Sequence, residues 1–203
     1  VDFSFKKEKI SSLKGLKFAF LKESFEKEVD EEIKKNFNEF LEKIKKEGAK
    51  IKEVSFESFR YALPCYYIIM TAEASANLAR YDGERFGKKF PGLDFFEEIS
   101  KTRGKYLGKE VKRRIILGSF VLSKGYFEDY YLKAQKIRNF IRKEFEKTLK
   151  EFDFLLMPTS PILPFKIGER INDPLLMYLC DIFTVPLNLS GFCGISMPTS
   201  KGK

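Results

Sequence analysis

The chain has 203 residues, of which 43% are hydrophobic and 15% aromatic, so it is long and apolar enough to bury a sizeable core. It contains no histidine, which excludes a Ser-His-Asp triad, a Cys-His dyad and any histidine-ligated metal site made by this chain. Any chemistry in which the chain takes part must therefore use other residue types or depend on another polypeptide.

The formal net charge is +9, from 38 Lys and Arg against 29 Asp and Glu. A basic excess favours nucleic-acid or acidic-membrane partners. Here the two signs are interleaved, as in the stretch IRKEFEKTLKEF at residues 141–152. Because that spacing favours ion pairs one helical turn apart, we expect mainly solvated helix faces and keep an RNA contact as the alternative.

The three cysteines are Cys65, Cys180 and Cys193, and none forms a CxxC pair. An odd number without that spacing argues against a disulfide framework and against a zinc site. We expect reduced, mostly buried thiols. No apolar run approaches the ~18 residues of a membrane helix, and the N-terminal lysines are not followed by the apolar core that a signal peptide needs. These features predict a cytoplasmic protein, or one of an organellar stroma or matrix, with no membrane partner and no metal.

A β-α-β segment begins the chain. An apolar-alternating strand is expected at Leu16–Leu21, and an amphipathic helix follows from an acidic start at Asp30 to a glycine cap at Gly48. Alternation returns at residues 49–56, the second strand. Two strands joined by a helix predict a parallel pair.

The middle of the chain is helical in pattern. The first predicted helix is nearly uncharged and follows a proline, so we expect it to be buried. The predicted helices are Cys65–Arg80, Asp94–Thr102, Lys109–Ser123 and Phe127–Phe152.

The last fifty residues differ in residue pattern from the helical segment before them. An apolar run at residues 153–158 predicts a strand covered on both faces. Pro174–Ile182 is expected as a short helix, and Gly194–Pro198 as a last strand, which suggests a longer parent polypeptide. We therefore predict one partial α/β domain over residues 1–203, with an incomplete, mostly parallel sheet flanked by helices. Its parts are a β-α-β segment (1–60), a helical segment (61–152) and core strands with loops (153–203).

Three stretches are specific enough to carry a resemblance. They are LPCYYIIMTAEASANLARYDGERFG (63–87), GKEVKRRIILGSFVLSKGYFEDYYLKAQKIR (108–138) and DPLLMYLCDIFTVPLNLSGFCGISMP (173–198). They resemble the amidase signature family and, within it, the A subunits of glutamyl-tRNA(Gln) amidotransferase. The resemblance implies the amidase signature fold, completed by strands that this chain lacks.

The resemblance also implies a chemistry. In that family a Ser–cis-Ser–Lys triad attacks an amide without histidine. In the family the two serines lie in a Gly/Ser-rich signature, and that signature and the lysine both precede the region that this sequence resembles. No such Gly/Ser-rich run occurs in this sequence, so we expect no catalytic residue here and an inactive isolated chain. The intact A subunit would release ammonia from glutamine. With B and C subunits, ATP and Mg²⁺, a heterotrimeric complex would convert Glu-tRNA(Gln) to Gln-tRNA(Gln).

Three residues inherit substrate-binding roles through the resemblance. Arg114 would hold the α-carboxylate of glutamine, Asp181 its α-ammonium group, and Tyr66 would be a third residue of the pocket. Plainer interpretations remain open for each. Arg114 would form a structural ion pair with Glu73 or Glu110, Asp181 a helix-end or turn hydrogen bond, and Tyr66 a core contact.

Two other functions remain open. An amidase acting on small amides would keep the fold without needing the Arg114 and Asp181 pair, since a neutral amide has no zwitterion to bind. A basic, non-catalytic RNA-binding or scaffold domain would use the net charge, although the sequence shows no clustered basic patch with aromatic residues.

Overall fold

The computed structural model describes residues 12–26, 28–169 and 174–199, without the side chains of residues 174–176. It confirms the predicted α/β class, with a parallel three-stranded sheet and flanking helices. The strands are β1 (Lys17–Leu21), β2 (Lys50–Val54) and β3 (Phe154–Leu156), and the α-helices are α1 (Glu31–Lys46), α2 (Phe59–Leu78), α3 (Phe95–Tyr106), α4 (Lys109–Val121), α5 (Lys133–Glu151), α6 (Pro174–Leu179) and α7 (Thr184–Ser190).

The chain forms two compact units. The sheet unit comprises the described residues up to Arg60 and those from Ile141 onward, and the helical unit is Tyr61–Phe140. The unit boundaries fall within α2 and α5. The three-segment division made from the sequence stays a prediction.

The β-α-β prediction is confirmed. Strands β1 and β2 pair in parallel, from Lys17 opposite Lys50 to Leu21 opposite Val54. The Asp30 side chain caps α1 by accepting a hydrogen bond from the Glu32 amide at 2.8 Å, as its acidic start predicted. Past the end of α1, Gly48 takes a left-handed φ of 93°, which a residue without Cβ adopts at little cost.

The core of this segment is built from the apolar faces of α1 and the sheet. Its buried members are Phe18, Phe37, Leu41, Ile44 and Ala49. Each large side chain contributes about 1.5–3 kcal/mol by leaving water, so the amphipathic stripe of α1 explains why the helix packs here. The apolar periodicity of the sequence therefore determined this packing.

Strand β3 pairs in parallel with β1, in the order β2-β1-β3. It is shorter than the predicted run at 153–158. The predicted strand at Gly194–Pro198 is wrong for this structure, since those residues form no regular element. A strand requires a hydrogen-bonded neighbour, and none of the described segments pairs with it. Ile195 and Met197 are left 89% and 59% exposed.

In the helical unit, α4 packs closely on α2. A Cβ added at Gly118 would lie 1.9 Å from the Thr71 carbonyl oxygen, so only glycine fits at this crossing. Helix α2 begins at Phe59, before the predicted start at Cys65, with Pro64 inside it. The predicted helix Phe127–Phe152 divides into a π-helical stretch, Phe127–Leu132, and α5.

No helix of the described regions is both long and apolar enough to cross a bilayer.

Candidate functional site

Arg114 lies on the middle turn of α4, one turn before the contact at Gly118. Its terminal nitrogen lies 3.6 Å from Glu110 Oε1, a distance longer than a good hydrogen bond. Its Nε is buried and has no hydrogen-bond partner. The guanidinium group therefore retains donors that the helical unit does not satisfy.

The neighbouring arginine competes for the same carboxylate. Arg113 donates to Glu110 Oε2 at 2.5 Å, on the more exposed side of α4. The ion pair of Arg114 with Glu110, one of the two alternatives left open by the sequence, is thus present but is the longer of the two contacts. The two arginines differ in environment, since Arg113 is exposed and Arg114 is partly buried.

Tyr66 lies on α2, next to the buried Cys65, and is itself half-buried. Its ring packs edge-on against Tyr67, with centroids 5.4 Å apart. Arg114 and Tyr66 both belong to the helical unit. Within this unit, Arg114 provides a guanidinium group with an unsatisfied donor, and Tyr66 provides a partly accessible phenol.

Asp181 lies between α6 and α7 in the sheet unit. Its backbone carbonyl accepts hydrogen bonds from the amides of Thr184 and Val185, both at 3.0 Å, and so starts α7. The residue is exposed. The backbone of Asp181 therefore makes the helix-end contacts, while the side chain faces outward.

The three predicted substrate residues thus occupy two units, Arg114 and Tyr66 in one and Asp181 in the other. A cavity of about 370 Å³ in the sheet unit is lined by Phe40, Lys43 and Met197, among others, and by none of the three. Across the described ranges, no cluster of three or more Cys, Asp and Glu residues could hold a metal ion.

Sequence reasoning missed a buried acidic residue, Glu23. It follows β1 in a short 3₁₀ turn and is 7% exposed. Its Oε1 accepts hydrogen bonds from the Ser55 hydroxyl at 2.7 Å and the Phe56 amide at 3.0 Å, just past β2. Its Oε2 and the neighbouring Ser24 hydroxyl are buried without partners. Glu23 therefore ties together the carboxyl ends of β1 and β2, and no local sequence pattern signals this.

A second acidic residue organises the start of α2. The Glu144 carboxylate accepts hydrogen bonds from the amides of Glu57 and Ser58, at 2.8 and 3.2 Å, and from the Ser58 hydroxyl. All these groups belong to the sheet unit. A carboxylate at a helix N-terminus satisfies amides that have no partner within the helix.

The cysteines only partly match the expectation of buried thiols. Cys65 is buried, Cys180 is half-buried and Cys193 is exposed, and none of these three cysteines forms a disulfide. The Cys65 thiol donates to the Ala134 carbonyl at 3.1 Å, and burial raises its pKa to about 11. A thiol held protonated in this way is a structural group.

The family follows from comparison with known proteins. The family model described as Amidase matches residues 1–203, and the chain belongs to that family. The solved structure of a glutamyl-tRNA(Gln) amidotransferase A subunit from Thermotoga maritima superposes with a TM-score of 0.63 and 37% identity. It covers 89% of this chain, which in turn covers 34% of that protein. A solved amidase at 20% identity, with a TM-score of 0.63, shares the fold.

The curated relatives point to one group of proteins within this family. The chain is similar to proteins named as the A subunit of glutamyl-tRNA(Gln) amidotransferase in Microcystis aeruginosa and in a Geobacter species. Each is 49% identical, over 93% and 92% of this chain respectively. The chain spans about 39% of the length of these relatives.

Proposed function

We propose that this chain is part of the glutaminase (A) subunit of a tRNA-dependent amidotransferase. The subunit releases ammonia from glutamine, and the complex uses it to convert Glu-tRNA(Gln) to Gln-tRNA(Gln). The observation that carries the proposal is 49% identity, over 93% of the chain, to a protein named as such a subunit. Identity at this level extends well beyond what a shared fold requires.

In this function the chain supplies part of the substrate pocket. Free glutamine carries an α-carboxylate, which an arginine binds well because its planar fork matches both oxygens. Arg114 supports that role because its Nε is buried without a partner and its contact to Glu110 is long. A buried donor without an acceptor is costly, and a bound carboxylate would satisfy it.

The other two residues with proposed substrate-binding roles are Asp181 and Tyr66. The exposed Asp181 side chain is available to a cationic group such as the α-ammonium of glutamine. Tyr66 presents a partly accessible ring beside Tyr67. In this proposal Arg114 would recognise the α-carboxylate of glutamine and Asp181 its α-ammonium group, and the side-chain amide would react elsewhere.

The reacting groups belong to other polypeptide in this proposal. The nucleophilic serine, its cis-serine partner and the lysine base lie in the part of the subunit that this chain does not match. ATP and Mg²⁺ serve the amidation of charged tRNA in the full complex with B and C subunits, and this chain holds no cofactor of its own.

The proposal is tested by kinetics with the chain completed. The chain would be combined with the unmatched part of the Microcystis relative, and glutamine hydrolysis measured. Arg114→Ala should raise KM for glutamine about 10- to 100-fold with a smaller change in kcat, the scale of one hydrogen bond between charged groups. The matched control, Arg113→Ala, should change KM less than about twofold, since Arg113 pairs with Glu110 on the exposed side. Equal effects of the two variants would contradict the role of Arg114.

A second candidate is an amidase acting on small neutral amides. Two observations favour it, the family match over residues 1–203 and the pairing of Arg114 with Glu110, which occupies part of the guanidinium group. The discriminating measurement compares glutamine with an amide that lacks the α-amino and α-carboxyl groups. Preference for the simple amide, unaffected by Arg114→Ala, would favour this candidate.

A further inference from the structure

The excess positive charge of the helical unit is confined to one stretch. Tyr61–Phe140 contains 15 Lys and Arg against nine Asp and Glu, and residues 101–114 alone contain seven against one. The rest of the unit is therefore balanced, with eight of each sign. The stretch runs from the second half of α3 into the first half of α4. Charge concentrated in this way produces a positive potential that attracts anions.

Contacts between the two helices and a preceding loop bring these cations together. The Lys112 ammonium group on α4 donates to the Gly104 carbonyl on α3 at 2.9 Å. Lys101 and Lys105 lie one turn apart on α3, and their ammonium groups lie 5.9 and 4.6 Å from the centre of one ring, that of Phe90. The sequence analysis expected no clustered basic patch with aromatic residues, and the fold assembles one. The basic patch comprises Phe90, Lys101, Lys105, Tyr106, Lys109 and Lys112.

Most of the charge of the basic patch is not neutralised within the helical unit. Lys101 pairs with Glu97 at 2.7 Å, whereas in the described part of the chain Lys105, Lys109 and Lys112 form no ion pair. The single acidic residue of the stretch pairs instead with the two arginines that follow it. Lys105 and Lys109 are both exposed. The patch therefore offers positive charge to a negatively charged partner.

The aromatic rings indicate which kind of anion fits the basic patch. Tyr106 is 43% exposed, and the Lys105 ammonium group lies 5.8 Å from the centre of its ring. The Phe90 amide donates to the Thr102 hydroxyl at 2.8 Å, which holds the loop of Phe90 on α3. An acidic protein would pair with the lysines alone, whereas an unpaired nucleotide stacks its base on a ring while its phosphate contacts a cation. The combination of rings and lysines favours RNA with unpaired bases.

We propose that the basic patch binds unpaired nucleotides of an RNA. One base stacks on the exposed ring of Tyr106, and neighbouring phosphates contact the ammonium groups of Lys105 and Lys109. The proposed function supplies such an RNA, because a charged tRNA has unpaired bases in its loops and at its 3′ end. The choice of tRNA rests on that proposed function, whereas the binding of RNA does not.

Fluorescence anisotropy tests the proposal without glutamine hydrolysis, so it can succeed or fail independently of the proposed function. The protein would be this chain completed with the unmatched part of the Microcystis relative. The probes would be a labelled single-stranded RNA, a duplex RNA of the same length, a tRNA transcript and poly-glutamate. We expect the single strand and the tRNA to bind, and the duplex to bind at least about tenfold more weakly, because its bases are already stacked.

A pair of variants at Tyr106 tests the stacking. Tyr106→Ala should raise the Kd for the single-stranded RNA about tenfold, the scale of one stacked base. Tyr106→Phe keeps the ring and should stay within about twofold of the unmodified chain. Equal weakening by the two variants would contradict stacking on this ring.

A double variant tests the phosphate contacts. Lys105→Ala combined with Lys109→Ala should lower the slope of log Kd against log salt by about 1.4, since each lysine contact to a single-strand phosphate contributes about 0.7. The matched control is Lys35→Ala combined with Lys46→Ala, two exposed lysines of α1 in the sheet unit, which should leave the slope unchanged. Circular dichroism checks that each variant is folded.

Four results would overturn the proposal. The first is that neither RNA with unpaired bases binds, and the second is that the duplex binds as tightly as the single strand. The third is an equal loss of slope in the two lysine pairs, which would indicate attraction by net charge alone. The fourth is binding of poly-glutamate as tight as that of the single strand and unaffected by Tyr106→Ala, since the partner would then be an acidic protein. Binding of the single strand but not of tRNA would support the patch and exclude tRNA as its RNA.

Discussion

Two buried carboxylates organise turns in different ways, one in each unit of the chain. Glu23, in the sheet unit, accepts hydrogen bonds from the hydroxyl of Ser55 and the amide of Phe56, more than thirty positions away. Asp82, in the helical unit, binds the amides of Glu84 and Arg85 at 3.0 and 2.9 Å. The first contact depends on the sheet being assembled, whereas the second can form within one turn. Long-range contacts should therefore carry more of the folding free energy than local ones.

The largest effect is expected at Glu23. Glu23→Ala leaves the Ser55 hydroxyl and the Phe56 amide without their acceptor, at a cost of about 3 kcal/mol in the free energy of unfolding. Denaturant unfolding measures this change. Glu23→Gln, which keeps one acceptor oxygen, should lose about half as much. A loss below ~0.5 kcal/mol for Glu23→Ala would contradict the claim that the long-range contacts of Glu23 contribute more to folding than the local contacts of Asp82.

The neighbouring Glu26 is the matched control. Partial burial, together with the charges of Glu23 and Glu28, raises the pKa of Glu26. A raised pKa means that the folded state holds its proton more tightly, so stability falls as the pH rises from 4.5 through the raised value. At pH 7 Glu26→Ala should therefore be neutral or stabilising. Marked destabilisation by Glu26→Ala would show that negative charge in general stabilises this turn, and not the specific hydrogen bonds of Glu23.

The next largest effect is expected at the helix crossing of the helical unit. Gly118→Ala places a methyl group 1.9 Å from the Thr71 carbonyl, and the resulting displacement should cost about 2 kcal/mol. The control is Gly104→Ala in α3, where an added Cβ has no neighbour within 4 Å, and which should gain about 0.5–1 kcal/mol. If thermal unfolding moved in the same direction for both, the account of the crossing would be wrong.

A smaller, pH-dependent effect is expected at Asp82. The Arg85 amide, followed by the Arg85 guanidinium and the Glu84 amide, lowers the pKa of Asp82 from 3.8 to about 2 against the effect of burial. The stabilisation is complete above pH 3.8 and is lost as the pH falls toward 2. Asp82→Asn should thus be less stable than the unmodified chain at pH 7, with the difference shrinking through that range. A constant difference between pH 7 and pH 2 would exclude this carboxylate as its source.

The smallest effect concerns thiol reactivity and leaves stability unchanged. The thiolate is the reacting form, and the pKa of Cys65 is raised to about 11, so iodoacetamide at pH 8 should modify exposed Cys193 well before Cys65. Mass spectrometry of peptides measures the order. Faster labelling at Cys65 would mean that the helical unit opens more readily than its packing indicates.

The sequence predicted what local physics determines. The Asp30 cap and the apolar stripe along α1 depend on residues that are close together in the sequence, and the structure has both. Helix α7 was not predicted, because TVPLNLS contains β-branched residues and a proline near its start, and only Gly191, at φ 76°, marks its end. The hydrogen bonds of Glu23 join segments that are far apart along the chain, and no local sequence pattern indicates them.

The candidate site was predicted only by resemblance. Nothing in the periodicity of α4 distinguishes a binding arginine from a paired one, and the unsatisfied Nε of Arg114 appears only once the helices are packed. The outward direction of Asp181 likewise depends on the turn between α6 and α7. Side-chain environment is a property of tertiary packing, which single-sequence patterns do not contain.

The central claim is that this chain shapes a substrate pocket while the bond-breaking groups belong to another part of the subunit. It is tested most directly by ammonia release from glutamine, measured for the 203-residue chain alone and again after the unmatched part of the Microcystis relative is added. The account predicts background release from the chain alone and turnover from the mixture. Release above background from the purified chain by itself would contradict it.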